Sequence, residues 1–160
     1  MRTARGQGAD RRRHNGFGRR LHGSTGDFPG YSPSNCVARR AGSALEKLAR
    51  RSAVPVRLDV AVERRLSRSV EVAACYVVAE ALTNTAKYAH ASEIGVRVEA
   101  KGPNLHLSID DDGVGGADVG QGSGLIGLID RVEALGGCLE IASRVGIGTS
   151  LLAEIPLLAE

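Results

Sequence analysis

The fold turns on the stretch Leu105-His106-Leu107-Ser108-Ile109-Asp110-Asp111-Asp112-Gly113-Val114-Gly115-Gly116. Its first half alternates apolar and polar residues, the pattern of a strand with one buried face. Its second half breaks into glycines, which end the strand and let a backbone or a flat ring come close. Carried forward, the alternation puts Asp111 in phase with Leu105, Leu107 and Ile109, toward the covered face. Asp110 and Asp112 then point the other way or into the turn. A carboxylate aimed at a core is costly unless it accepts hydrogen bonds, and an adenine amino group is a suitable donor. An acidic hairpin turn is the plainer alternative. A calcium loop fits worse, because the remaining ligands of an EF-hand are absent.

Working outward, Gly102-Pro103-Asn104 reads as a turn, and Ile94, Val96 and Val98 alternate with Gly95, Arg97 and Glu99. The two alternating runs make a hairpin. Val54, Val56, Leu58 and Val60 form an earlier half-buried strand. Residues 36–52 suit a helix and 66–91 a long one. After the glycine-rich segment 113–124, a helix runs from Leu125 to Leu135 and stops at Gly136-Gly137. A strand at 138–143, a turn at Gly146-Ile147-Gly148 and a strand at 149–156 follow. One-sided burial in every strand predicts an α/β fold, a two-layer sandwich of a mixed, mostly antiparallel sheet with helices on one face.

The long helix carries the second informative stretch. Cys75, Val78, Ala79, Leu82, Ala86 and Ala89 fall on one helical face, suited to the core. Glu80, Asn84 and Lys87 share the opposite face by their spacing. A solvated face with a Glu–Lys pair would look the same. The chemistry offers more: Asn84 supplies a neutral oxygen for Mg²⁺, Glu80 can orient a water or accept a proton, and Lys87 offers a charge to phosphate.

Gly122-Ser123-Gly124-Leu125 opens the next helix, where free N–H groups beside glycines form an anion site. No Gly-Lys-Ser/Thr follows, which excludes a Walker A loop. Thr149, after Gly146-Ile147-Gly148, places a hydroxyl within reach of phosphate, although a plain turn would read alike.

Composition narrows the class. The chain has 160 residues, is 42% hydrophobic and only 3% aromatic, and lacks Trp. It suits one domain with a core of Val, Leu, Ile and Ala. Residues 1–40 carry nine arginines against Asp10 and Asp27, whereas 41–160 are net acidic. Residues 1–35 read as a basic, Gly/Arg-rich, disordered tail before a domain at 36–160. A basic arm for nucleic acid or acidic lipid, or a misplaced start, would read alike. The acidic body argues against a nucleic-acid binder. Cys36, Cys75 and Cys138 read as free thiols in a reducing, cytoplasmic setting. No membrane-spanning run or secretory signal is expected.

These pieces, in this order, resemble the superfamily of gyrase, heat-shock chaperone, histidine kinase and mismatch-repair ATPases. Glu80-x-x-x-Asn84-x-x-Lys87-Tyr88 looks like its N box, Asp111-x-Gly113-x-Gly115 like its G1 box, and Gly122-x-Gly124-Leu125 like its G2 box. The run from Glu80 to Ala91, the run from Gly124 to Gly137 and the short spacing from Gly115 to Gly122 resemble the nitrate-sensor class of histidine kinases. The resemblance implies ATP and Mg²⁺ as ligands, with Asp111 reading the adenine amino group and Asn84 holding the metal. It implies that Glu80 orients metal or water, and that Lys87 and the G2 backbone hold phosphates. It also implies a histidine-bearing dimerisation domain and a response regulator as partners. None of His14, His22, His90 and His106 is followed by an acidic residue as that class's phosphate acceptor is. The acceptor is therefore expected on a separate or missing domain. A stand-alone serine/threonine kinase of the anti-sigma type and a nucleotide-binding regulatory module are the rival expectations.

Overall fold

The computed structural model describes residues 41–117 and 123–157. The expectations for the basic tail, Cys36 and Gly122 lie outside them. In chain order come α1 (Ala41–Arg51), β1 (Val56–Ala61), α2 (Arg68–Asn84), a π-helical turn (Thr85–Ala89), β2 (Ile94–Lys101), β3 (Asn104–Asp111), α3 (Ser123–Glu133), β4 (Cys138–Arg144) and β5 (Gly148–Pro156). The strands form one sheet in the order β1-β2-β3-β5-β4. Only β1–β2 is parallel; the other three pairings are antiparallel. This is the expected mixed, mostly antiparallel α/β arrangement.

Alternation sets the layers. Val96 and Val98 of β2, Leu105, Leu107 and Ile109 of β3, and Leu151, Ala153 and Ile155 of β5 are buried in one cluster with α1, α2 and α3. Their polar neighbours, such as Arg97, His106 and Glu140, face away from the helices. Ser67 caps α2, its hydroxyl accepting from the Val70 N–H at 3.4 Å. That bond satisfies one of the donors a helix start leaves unpaired. Glu71, in the first turn of α2, is buried, and burial pushes its carboxyl up, against the lowering effect of Arg65 and a hydrogen bond from the Ala41 backbone.

The long helix departs from its expected shape. Regular α-helix ends at Asn84, and Thr85–Ala89 form a π turn. His90 closes it in the left-handed conformation, with φ 50° and ψ 34°. It is the only non-glycine residue with positive φ among those described, a backbone state that clusters at functional sites. The burial phase differs as well. Cys75, Val78, Leu82 and Ala89 are buried as expected, but Ala86 is exposed, and Val77, Ala81 and Thr85 are buried. Glu80, expected on a solvated face, is only 5% exposed. The sheet, α1 and α3 all pack against α2, and Glu80 is enclosed while Asn84 is half-buried and Lys87 exposed. The free-thiol reading holds for exposed Cys138. It fails for Cys75, which is fully buried and disulfide-bonded. Among the described residues no helix is long and apolar enough to cross a membrane.

Candidate functional site

The site gathers where α2 ends, β3 ends and β5 begins. Asp111 is the last residue of β3 and pairs in register with Thr149 of β5. As the alternation required, its carboxylate turns inward and is held there. Oδ1 accepts the Gly113 N–H at 2.9 Å and the Thr149 N–H at 3.3 Å. Oδ2 accepts the Thr85 hydroxyl at 3.3 Å. A carboxylate offers about four lone-pair positions. Three are taken here, and the one left is on Oδ2.

The glycines of this loop are required by contact. A β-carbon at Gly113 would meet the Ala89 carbonyl oxygen at 2.3 Å, and one at Gly148 would meet that of Asp111 at 2.0 Å. Gly115 has φ 62°, and a β-carbon there would lie 2.0 Å from the Arg144 carbonyl oxygen. The Val114 N–H donates to the Ala89 carbonyl at 2.7 Å, and the Gly146 N–H donates to that of Val114 at 2.8 Å. The loop after β3 is thus clamped between the π turn and the β4–β5 turn. Asp112 completes the clamp from outside. Its Oδ1 accepts the Ser92 N–H at 2.8 Å and the Glu93 N–H at 3.0 Å, and the Ser92 hydroxyl bonds Oδ2. That hydroxyl, followed by the Glu93 N–H, holds the Asp112 carboxyl below its usual range.

One residue before Thr85, Asn84 belongs to a second cluster. Its amide nitrogen donates to Glu80 Oε1 at 3.2 Å, which leaves the Asn84 carbonyl oxygen for another partner. Gly124, in the first turn of α3, lies against the same carboxylate: a β-carbon there would fall 2.1 Å from Glu80 Oε1. Consecutive residues at the end of α2 therefore face both halves of the site. Thr85 faces Asp111, and Asn84 faces Glu80 and the start of α3. Leu125 is half-buried, and Lys87 and Tyr88 are exposed on the π turn.

Glu80, Asn84, Asp111, Gly113, Gly124 and Thr149 thus come together at one end of the helical layer. Thr149 lies beside Asp111. Its N–H supports Asp111 and its hydroxyl pairs with Ser143 Oγ at 2.8 Å, so it stands at the Asp111 end. Thr85 and Ser92 were missed. Thr85 had a signal, since it continues the Ala74, Val78, Ala81 stripe as a polar residue at a core position. A cavity of ≈ 620 Å³ lined by Arg68, Val72, Arg131 and Leu135 sits at the opposite end of α2. The site is therefore identified by its hydrogen-bonding geometry rather than by cavity size.

Comparison with known proteins places the chain in a family. The family described as "Histidine kinase-, DNA gyrase B-, and HSP90-like ATPase" matches residues 69–159. The chain is 33% identical over 102 residues to the signal transduction histidine-protein kinase/phosphatase DegS of Bacillus subtilis, covering 59% of this chain and 26% of that protein. It is 34% identical over 98 residues to the oxygen sensor histidine kinase NreB of Staphylococcus carnosus, covering 59% and 28%. It thus spans about a quarter of the length of these relatives. The histidine kinase domain of a blue-light activated kinase from Erythrobacter litoralis superposes with TM-score 0.56 at 21% identity, covering 73% of this chain and 57% of that one. The histidine kinase AdeS of Acinetobacter baumannii superposes with TM-score 0.56 at 20% identity, covering 79% and 66%.

Proposed function

This chain belongs to the histidine kinase-, DNA gyrase B- and HSP90-like ATPase family, and from that membership we propose that it is the ATP-binding catalytic part of a two-component sensor histidine kinase. The observation that carries the proposal is the inward Asp111 carboxylate, fixed by three donors with one acceptor position left on Oδ2. An adenine amino group supplies the missing donor, whereas a 6-oxo purine would bring an acceptor against a negative charge. Gly113, Gly115 and the start of α3 at Gly124 let the nucleotide approach backbone closely. The α3 N-terminus and Lys87 offer positive charge to its phosphates.

The donor set at Asn84 fits Mg²⁺. With its amide nitrogen committed to Glu80, Asn84 presents a neutral oxygen to a cation that prefers oxygen and retains waters. Among the described residues no three His, Cys, Asp or Glu side chains are grouped to hold a metal, so the ion would be shared with the nucleotide phosphates. Bound there, it would neutralise charge on the transferring phosphoryl group. Glu80 orients Asn84 and a water. The phosphate acceptor is a histidine on a separate dimerising domain, with a response regulator downstream.

The test is transfer from labelled ATP to a histidine-bearing dimerisation domain mixed with this chain. Label on that domain, lost in acid, supports the proposal. Acid-stable label on serine, or tight nucleotide binding with no transfer to any such domain, contradicts it.

A further inference from the structure

We infer that Thr85 is a positioning residue for purine discrimination: its buried hydroxyl takes one lone pair of Asp111 Oδ2 and so fixes the direction of the lone pair that meets the base. The inference rests on Asp111 reading the base, as proposed above.

Thr85 is 4% exposed, and a buried hydroxyl must find a partner or lose its hydration without return. The usual partner for a threonine in a helix is the carbonyl four residues back. Two positions earlier on α2, Thr83 does this, donating to the Ala79 carbonyl at 2.8 Å. Thr85 instead reaches out of its helix to Asp111 Oδ2 at 3.3 Å, across a separation of 26 residues. It does so at the first residue of the π turn, where the backbone passes from α- to π-helical winding.

The bond breaks a symmetry. The two backbone donors, Gly113 N–H and Thr149 N–H, hold only Oδ1. They leave both lone pairs of Oδ2 open, and because the carboxylate turns as one plane about a soft Cβ–Cγ torsion, a small rocking of that plane re-aims Oδ2. The Thr85 hydroxyl pins Oδ2 from the helix side, so its remaining lone pair has one direction. An acceptor held in one direction favours a 6-amino purine, which donates there, over a 6-oxo purine, which does not. A site whose polar groups are prearranged discriminates more strongly than one that can rotate to adapt.

The test is calorimetric titration of the full chain with Mg-ATP and with Mg-inosine triphosphate, which differs at the 6-position. Thr85→Val keeps the shape and removes the hydroxyl. It should weaken ATP about tenfold and inosine triphosphate by less than about threefold, so that discrimination shrinks. Thr85→Ser should restore ATP affinity to within about threefold of the parent. In an Asp111→Asn background, Thr85→Val should add less than about twofold, because the two groups act as one unit. Should Thr85→Val fail to fold, Thr85→Ala is read by the same ratio. Equal losses for both nucleotides, full additivity with Asp111→Asn, or unchanged ATP affinity overturns the role of Thr85 while leaving Asp111 as the base reader. A parent chain that binds ATP and inosine triphosphate equally removes the underlying reading and this one with it.

Discussion

Gly124 stands against Glu80 so closely that a β-carbon on the glycine would fall 2.1 Å from the carboxylate oxygen Oε1. That oxygen is the one that accepts the Asn84 amide. The start of α3 and the end of α2 are therefore in register through a single carboxylate, with no room for a side chain between them.

Gly124→Ala should displace the Glu80 carboxylate and with it the Asn84 amide. Glu80 can swing at its far end, so the fold should survive with a melting temperature within about 5 °C of the parent. The gain in nucleotide affinity on adding Mg²⁺ should drop by about tenfold. Titrations with and without the metal check this. An unchanged metal dependence would mean that Glu80 and Asn84 do not act together.

Asn84→Ala should separate transfer from binding. A metal ligand acts mostly where charge develops on the moving phosphoryl group. Transfer to a histidine-bearing domain should fall about a hundredfold while ADP affinity changes by only about threefold. Equal losses in the two assays would remove Asn84 as the metal ligand.

Glu71 gives a prediction in pH. Burial raises its folded pKa above its ordinary 4.5, so the folded state holds its proton more tightly than the unfolded chain. The associated stability is present below the unfolded pKa and is lost as pH rises through the folded value. Glu71→Gln removes that dependence and retains an acceptor for the Ala41 backbone. The melting temperature of the variant relative to the parent should rise as pH climbs from below 4.5 through the raised folded value. A difference that is flat or falls with pH contradicts the assignment.

Much of this was legible in the sequence because it depends on a short period. The alternation of Leu105, Leu107 and Ile109 carried Asp111 to the right face, and the order of the glycine segments placed Gly113 and Gly124 at one site. The parts that were not legible depend on tertiary contact. The phase assigned to the long helix assumed one covered face and a uniform turn up to Ala89. The helix is covered by the sheet, by α1 and by α3, and the start of α3 lies against Glu80. The π turn resets its phase beyond Thr85, so Ala86 emerges, while Thr85 keeps the buried stripe of Ala74, Val78 and Ala81. No sequence period records the approach of α3 or a bond between residues 85 and 111. The disulfide of Cys75 was missed for the same reason: spacing alone does not report which sulfurs meet.

The chain on its own should not label itself on histidine. His90 is exposed at the left-handed end of the π turn. His106 pairs across strands with Glu99 and Glu154 on the sheet face that the helices do not cover. Neither is presented in line with a phosphate held near Asn84, at the reacting distance of about 3–3.5 Å. Incubation with labelled ATP followed by acid treatment tests this. Acid-labile label that disappears in His90→Gln or His106→Gln would show a self-contained acceptor.

The central claim is that Asp111 reads an adenine nucleotide, and calorimetric titration of Mg-ADP into the parent chain and into Asp111→Asn tests it most directly. Asn replaces one charged acceptor oxygen with a donor, and the loss of a charge-assisted hydrogen bond should weaken binding by about 1–3 kcal/mol. The account predicts saturable binding by the parent and a dissociation constant raised by roughly fivefold to a hundredfold in the variant. Indistinguishable affinities for the two proteins would contradict it.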